Sequence, residues 1–164
     1  MDQEENLKKF LLMREPKVCQ KWYNRMMEGY PPEMRNFWEN KENRFTQPVP
    51  YTMAQAMHDI YCELIKPQPD EQLVYSQLES MMRICAVQNL PPSGAVRTLF
   101  QLKEVIREEA NMVELRDSLF LQDLQAVETL LDQWTLLAFD IYMEFREKIY
   151  ELRMKEVRNQ MRFE

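Results

Sequence analysis

Glycine and histidine are the scarcest features of this chain, which has 2 glycines and 1 histidine among 164 residues. Folds with many short strands need tight turns, and those turns favour glycine because it adopts positive φ without strain. So few glycines argue against such a fold and predict helices joined by proline-containing turns. The single histidine, His58, also excludes a metal site or a catalytic triad that needs two imidazoles.

Positive charge and long apolar runs are lacking as well. The formal net charge is −6, from 27 acidic and 21 basic residues, so no overall field attracts nucleic acid or an anionic membrane. No apolar stretch approaches the roughly 20 residues that a membrane-spanning helix needs, and the N-terminus is acidic where a signal peptide would be basic. We therefore expect a cytoplasmic protein that neither binds nucleic acid nor inserts into a membrane.

Motifs of enzyme chemistry are absent from the sequence. It contains no G-x-S-x-G, P-loop, G-x-G-x-x-G or H-E-x-x-H pattern. Neighbouring carboxylates such as Glu108 and Glu109 point about 100° apart on a helix, which suits a solvated face rather than an acid–base pair. The sequence therefore predicts that the chain has no catalytic residues and is not an enzyme.

The three cysteines, Cys19, Cys62 and Cys85, are odd in number and widely separated, and each has apolar neighbours in a helical pattern. Buried free thiols behave as small hydrophobes, so we expect neither disulfides nor zinc-site spacing, and a reducing compartment. His58 lies near an apolar face, and no C-x-x-C-H motif accompanies it. We interpret it as a partly buried or capping histidine rather than a haem ligand, and we predict no cofactor and no metal.

The apolar spacing predicts an all-α bundle of seven or eight helices in a single domain over residues 1–164. One helix is expected from about Glu71 to Val87. Residues 43–51 contain two prolines two positions apart, which predicts an extended segment, with Thr52 as the cap of the next helix. Residues 122–163 contain neither glycine nor proline and predict a long C-terminal helix whose end projects.

Two charged residues, Arg83 and Asp140, stand among apolar neighbours in the sequence. A buried charge is tolerated when it is paired and hydrogen-bonded. We therefore hypothesise that Arg83 and Asp140 meet in a buried polar network, or that each caps a loop backbone, with Tyr142 and Tyr150 contributing hydroxyls. The alternative is that both charged side chains are solvated.

An apolar seam with coiled-coil-like spacing runs along the long helix. Its members are Trp134, Ala138, Ile141, Phe145, Ile149 and Leu152, and it weakens afterwards to Met154, Val157 and Met161. Steps of three and four residues are typical of helix pairing. We predict that Ile141, Phe145, Ile149 and Leu152 contact a partner helix, most simply that of a second copy, so that the chain is a homodimer. The alternative is a helix folded back along its own bundle.

Three stretches of the sequence, taken in order, resemble a known family. They are RFTQPV at 44–49, RICAVQNLPPS at 83–93, and LAFDIYM at 137–143 running into REKIYELR at 146–153. In this order and spacing they resemble the N-terminal domain of the RsbRD type, which is found in co-antagonists of the RsbT kinase in bacterial stressosomes. The resemblance covers nearly the whole chain.

This resemblance implies a bacterial sensor domain for signal transduction in the stress response. It further implies a non-haem, globin-like fold that dimerises and passes a helix into a C-terminal STAS domain. No STAS domain follows Glu164, so we expect the chain to represent the input half alone. The family implies no catalytic residue. A ligand site in the core could be lined by Trp22, Phe37 or Trp134.

The function that we expect is therefore a non-enzymatic signalling or regulatory module that binds a small effector or an unknown protein partner of a signalling system. The alternative is a structural adaptor subunit that docks on a larger redox or metabolic complex. A signalling module would transmit a change in the tilt or register of its long helix, whereas an adaptor would only need the surface of that helix.

Overall fold

A computed structural model describes residues 4–39, 48–114 and 117–163, and these residues form helices with no strand among them. The prediction of an all-α protein is confirmed. In chain order, the described helices are α1 Glu4–Met13, α2 Glu15–Glu28, α3 Pro32–Glu39, α4 Pro48–Leu64, α5 Glu71–Val87, α6 Pro92–Asn111 and α7 Ser118–Arg162.

Aspartate side chains cap the N-termini of two helices. Asp70 Oδ1 accepts hydrogen bonds from the backbone N–H groups of Gln72, at 3.1 Å, and Leu73, at 3.2 Å. Asp117 Oδ1 accepts one from Phe120 N at 2.8 Å. Each cap satisfies backbone donors that have no partner within the helix and stabilises the helix by about 1 kcal/mol. The predicted bounds of α5 are confirmed, and α7 begins four residues before the predicted position 122.

The start of α4 differs from the prediction. We expected an extended segment through residue 51 and a helix cap at Thr52, but α4 already begins at Pro48 and includes Pro50. Proline is excluded from a helix interior because it lacks an N–H group. In the first turn that group has no helical partner, so both prolines fit there. The rest of the predicted extended segment lies outside the described residues.

The core lies where α5 and α6 pack on the first half of α7, with α4 against α5 and α2 against α6. Its largest fully buried side chains include Trp22, Tyr61 and Tyr142. Their polar atoms are satisfied: Trp22 Nε1 donates to the Thr98 carbonyl at 2.6 Å, and the Tyr61 hydroxyl donates to the Leu11 carbonyl at 2.6 Å. These bonds join α2 to α6 and α4 to α1 across the core.

A buried carboxylate also joins α2 to α6. Glu109 on α6 is fully buried, and Lys21 Nζ lies 2.6 Å from its Oε1 atom. Lys17 and Arg14 place cationic atoms 3.6 and 3.7 Å from its Oε2 atom. Burial alone would raise the pKa of Glu109, but the three cations outweigh it and the pKa is lowered. Glu109 is therefore held ionised inside the bundle.

The helix α7 has 45 residues, which corresponds to a length of about 67 Å. Its buried side chains end at Tyr142, and Phe145 and Ile149 still pack partly on the core. From Tyr150 to Phe163 every side chain except the half-buried Met154 is exposed. The last three turns of α7 thus run beyond the surface that the other helices cover.

Candidate functional site

Arg83 and Asp140 do not meet in the interior, so the hypothesis of a buried pair was wrong. Both side chains are exposed. Arg83 Nη2 donates to Glu79 Oε1 at 3.1 Å, and its guanidinium carbon lies 5.3 Å from the centre of the Phe145 ring. Each helix turns by about 100° per residue, so Arg83 and Asp140 point about 100° away from their buried neighbours Met82 and Ile141. The alternative, two solvated charges, describes the structure.

Tyr142 is buried, as its place in the proposed polar network required, but its partner is the backbone. Its hydroxyl donates to the carbonyl of Leu90, in the connection between α5 and α6. Burial raises the pKa of this hydroxyl, an effect that the nearby Arg146 opposes, so the group stays a proton donor. The other expected hydroxyl, that of Tyr150, is on the exposed end of α7.

A second contact from α7 reaches the same connection. Arg146 Nη1 donates to Asn89 Oδ1, one turn beyond Tyr142. Asn89 has φ of 58°, the one positive φ among the described residues other than glycine. Asparagine tolerates this left-handed conformation better than most residues because its short side chain makes local hydrogen bonds. Together, Tyr142 and Arg146 fix the α5–α6 connection to α7.

A groove of about 240 Å³ lies beside this connection. It is lined by the C-terminal end of α2, by Leu90 and Pro91, and by the first turns of α6, with Tyr30 and Arg97 among its side chains. Ligand pockets for drug-sized molecules span about 300–1,000 Å³, so this groove suits a smaller molecule. Leu90 belongs both to the groove and, through its carbonyl, to the contact with α7.

The sequence-based candidates for a ligand pocket do not line this groove. Trp22 and Trp134 are buried core side chains, and Trp22 lies behind the groove through its bond to the Thr98 carbonyl. The side chain of Phe37 lies outside the described part of the structure. Sequence reasoning missed the groove because it forms between the end of one helix and the start of another, which no periodicity reveals.

The predicted partner seam on α7 packs largely on its own bundle. Ile141 is buried, and Phe145 and Ile149 are half-buried against the core, so these residues are covered within one copy. Leu152, the last residue of the seam, is 59% exposed. The periodicity correctly identified one face of the helix. It could not tell an intramolecular neighbour from a partner, because both require the same apolar spacing.

A different line of apolar side chains on α7 is largely exposed. Leu136, Met143, Tyr150 and Val157 recur every seven residues, and Leu136 and Tyr150 are 69% and 65% exposed. A spacing of seven keeps side chains on nearly the same side of a helix. We call these four residues the outer stripe. Met143 is half-buried and packs partly on the core, so the exposed members of the stripe are Leu136 and, on the projecting end, Tyr150 and Val157.

A cluster of potential metal ligands lies between α2 and α4. Glu15 Oε1 and His58 Nε2 are 2.6 Å apart, and Cys62 Sγ lies 3.7 Å from the same nitrogen. The three groups each have a ligand atom within 4.8 Å of the others, and all three residues are half-buried. Cys19 follows Glu15 by one helical turn and is also half-buried, unlike the buried Cys85.

Sequence reasoning missed this cluster because its two halves are 43 residues apart. It judged each cysteine alone, expected all three to be buried, and found no zinc-site spacing within any one segment. The signal was the pairing of E-x-x-x-C in α2 with H-x-x-x-C in α4, since residues four apart share one face of a helix. Only the packing of α2 on α4 brings the two faces together.

The family model of the RsbT co-antagonist protein rsbRD N-terminal domain matches residues 16–157 of the chain. The chain belongs to this family. The resemblance predicted from its three stretches is confirmed, and the RsbRD N-terminal domains are regulatory signalling domains. No curated protein and no solved structure is significantly similar to the chain. None of the described helices is long and apolar enough to cross a membrane.

In this RsbRD N-terminal domain, two of the three stretches that carried the resemblance contact each other. Tyr142 and Arg146, from the third stretch and its continuation, bind Leu90 and Asn89, from the second. Arg83 at the start of the second stretch lies against Phe145 on α7. The first stretch lies mostly outside the described residues. The family signature therefore maps to the junction between α7 and the α5–α6 connection.

Proposed function

We propose that this chain is a non-enzymatic sensor-type signalling module, related to the input domains of stressosome RsbR proteins, in which α7 carries the output. The observation that supports this proposal most directly is the double contact of Tyr142 and Arg146 with the α5–α6 connection. It ties the helix that leaves the bundle to a backbone segment beside a groove, so a change at the groove has a direct route to α7.

The input in this proposal is a small effector in the groove beside Leu90. An effector can shift a conformational equilibrium only if it binds the two states with different affinities. Occupying the groove would displace Leu90 and Pro91, which line it, and the Leu90 carbonyl would carry that displacement to the Tyr142 hydroxyl. The resulting states would differ in the tilt or register of α7.

In this proposal, a second copy of the chain and a protein partner of a signalling system bind α7 and respond to its change in tilt or register. The outer stripe supports a homodimer, because Tyr150 and Val157 lie on the projecting end and have no neighbour within the described chain that covers them. A parallel pair of α7 helices would bury the stripe along a two-fold axis. Residues 1–164 would then act as one globin-like, non-haem domain in the cytoplasm of a bacterium.

The rival function, a structural adaptor on a larger redox or metabolic complex, has one supporting observation. The end of α7 exposes Leu152, Met161 and Phe163, the last of which is 92% exposed, and such side chains would also suit a permanent docking helix. An adaptor would use the surface of α7 without any need for the contact between Tyr142 and Leu90. This difference allows the two functions to be separated.

The test is affinity capture from native lysate with the wild-type chain, a Tyr142→Phe variant and a Val157→Glu variant, followed by identification of the bound proteins. The signalling proposal expects kinase or phospho-signalling proteins, captured by wild type, lost with Val157→Glu, and changed in amount with Tyr142→Phe. Enzyme subunits captured equally by wild type and Tyr142→Phe would instead favour the adaptor. Asn159→Glu, which adds the same charge on the opposite side of the projecting end, is the matched control.

A further inference from the structure

Two helices of the bundle each present a pair of metal-binding side chains at the same place. Glu15 and Cys19 are four residues apart on α2, and His58 and Cys62 are four residues apart on α4. Residues four apart lie on one face of a helix, one turn above the other. Because Glu15 contacts His58 at 2.6 Å, the two faces oppose each other across the α2–α4 junction.

We propose that this junction is a binding site for a divalent transition-metal ion of the zinc class, with Glu15, His58 and Cys62 as ligands and Cys19 as the fourth. Thiolate, imidazole and carboxylate are together the ligand set that Zn²⁺ uses, whereas Mg²⁺ and Ca²⁺ need oxygen ligands throughout. The site does not depend on the groove or on the output of α7.

The separation of the ligand atoms fits this ion. A tetrahedral ion with bonds of about 2.0–2.1 Å to nitrogen and 2.3 Å to sulfur holds those two atoms about 3.6 Å apart. Cys62 Sγ lies 3.7 Å from His58 Nε2, which matches this spacing, but it also lies 3.8 Å from Nδ1. The thiol must therefore rotate towards the Nε2 side of the ring for both atoms to bind one ion. The corresponding spacing between nitrogen and a carboxylate oxygen is about 3.4 Å.

Glu15 is closer to His58 than a shared metal ion allows, at 2.6 Å, because the two groups hydrogen-bond directly. Metal binding would replace this hydrogen bond by two coordinate bonds, and the Glu15 carboxylate would withdraw by less than 1 Å. Both side chains are half-buried, so rotation of the glutamate needs no repacking of the core. Cys19 lies outside the closest group of ligand atoms and would complete the site by rotating its thiol, or a water would take the fourth position.

A second carboxylate is placed to orient the histidine. Asp59 Oδ1 lies 3.6 Å from His58 Nδ1, whereas Glu15 Oε1 lies against the other ring nitrogen, Nε2. Metal-binding histidines usually donate their other N–H to such a group, which fixes the ring and increases its basicity as a ligand. Asp59 is held in place by a hydrogen bond from Gln55 Nε2 at 3.0 Å. We therefore assign Asp59 as a positioning residue of the site.

Metal binding here must release protons. A free thiol is mostly protonated at neutral pH, and only the thiolate binds a metal ion. Each coordinating thiol passes its proton to solvent as the sulfur–metal bond forms, and the dication offsets the negative charges that would otherwise repel one another. Affinity should consequently fall as the pH decreases, because protons compete with the metal for sulfur and imidazole.

The test begins with chelator-treated, fully reduced protein titrated with Co²⁺ and with Zn²⁺. The proposal expects one ion bound per chain, a thiolate-to-cobalt charge-transfer band with tetrahedral d–d bands, displacement of Co²⁺ by Zn²⁺, and a higher melting temperature. Asp59→Asn removes a carboxylate that only orients the histidine, and it should lower the affinity about 10- to 100-fold. His58→Ala and Cys62→Ser each remove a ligand and should lower the affinity at least a hundredfold.

The matched control is Cys85→Ala, which removes a thiol from α5 and should leave affinity and the charge-transfer band unchanged. Circular dichroism of each variant in chelator verifies the fold before metal is added. Three results would overturn the proposal: no binding tighter than micromolar, binding that survives His58→Ala and Cys62→Ser together, or a cobalt spectrum without sulfur ligation. A free-thiol count that drops from three to one in air, with no metal uptake after reduction, would identify a redox pair instead.

Discussion

Lys21 on α2 places its ammonium nitrogen 2.6 Å from Glu109 Oε1 on α6, and the Glu109 side chain is wholly inaccessible to solvent. Lys17 and Arg14 add two further positive charges at the second carboxylate oxygen. All three cations remain partly exposed, so water offsets much of the cost of their partial burial. The carboxylate depends on them entirely, and the α2–α6 contact is therefore sensitive to any change at Glu109.

Glu109→Gln should lower the free energy of unfolding by about 1.5–3 kcal/mol, because it removes charge-assisted hydrogen bonding from a buried position. Chemical denaturation measures this loss. Glu108→Gln is the control, since Glu108 pairs with Arg25 at the exposed surface and such pairs contribute less than about 1 kcal/mol. Equal losses in the two variants would show that the burial of Glu109 has no energetic consequence.

The same carboxylate predicts a pH dependence. Its pKa is lowered in the folded protein from an ordinary value of 4.5, so the unfolded chain binds the proton more readily than the folded one. The stability that it contributes should be complete above about pH 4.5 and should be lost as the pH falls through the lower folded pKa. Thermal melts from pH 7 to pH 3 should show this loss in wild type and a shallower slope in Glu109→Gln.

Tyr142→Phe removes the hydrogen bond to the Leu90 carbonyl and leaves the ring in place. We expect a loss of about 0.5–1.5 kcal/mol in the free energy of unfolding, together with faster amide exchange in residues 88–90. Tyr150→Phe, at an exposed position with no hydrogen bond described for its hydroxyl, should change neither quantity. Unchanged exchange in Tyr142→Phe would mean that α7 does not hold the α5–α6 connection.

Asn89 allows the backbone of that connection to be tested separately. Residue 89 has φ of 58°, which glycine adopts without strain and alanine does not. Asn89→Ala should therefore lower the free energy of unfolding by about 1–2 kcal/mol more than Asn89→Gly. Both variants lose the hydrogen bond from Arg146, so their difference isolates the backbone term. Urea denaturation of the two proteins side by side provides the comparison.

The outer stripe predicts concentration-dependent association. Sedimentation should give a dimer for wild type, and Tyr150→Glu or Val157→Glu should shift it towards monomer by placing a charge in the apolar contact. Asn159→Glu should leave the dimer unchanged, since it places the same charge on the opposite side of the projecting end, and Asp140→Ala should leave the melting temperature unchanged because Asp140 is exposed. A wild-type chain that stays monomeric at high concentration would contradict the homodimer.

The sequence predicted what depends on local periodicity. It predicted helices, the bounds of α5, the long α7 and, from three short stretches, the family. It failed where the outcome depends on which surfaces meet. Arg83 appeared buried because its neighbours in the sequence are apolar, although a helix points those neighbours elsewhere. The seam through Ile141 was real but faces its own core, and the ligand pairs of α2 and α4 meet only after packing.

Because α7 extends far beyond Tyr142, a small change in the direction of the helix moves its C-terminal end by a large distance. Twenty residues separate Tyr142 from Arg162, a distance of about 30 Å along the helix axis. If Tyr142 is the fulcrum, a change of about 5° in the direction of the helix displaces its far end by about 2.6 Å. That exceeds the 1–2 Å shifts by which packed helices commonly switch at interfaces. A small displacement at the groove that tilts α7 by this angle is therefore enough to break or form a contact at the C-terminal end of the helix.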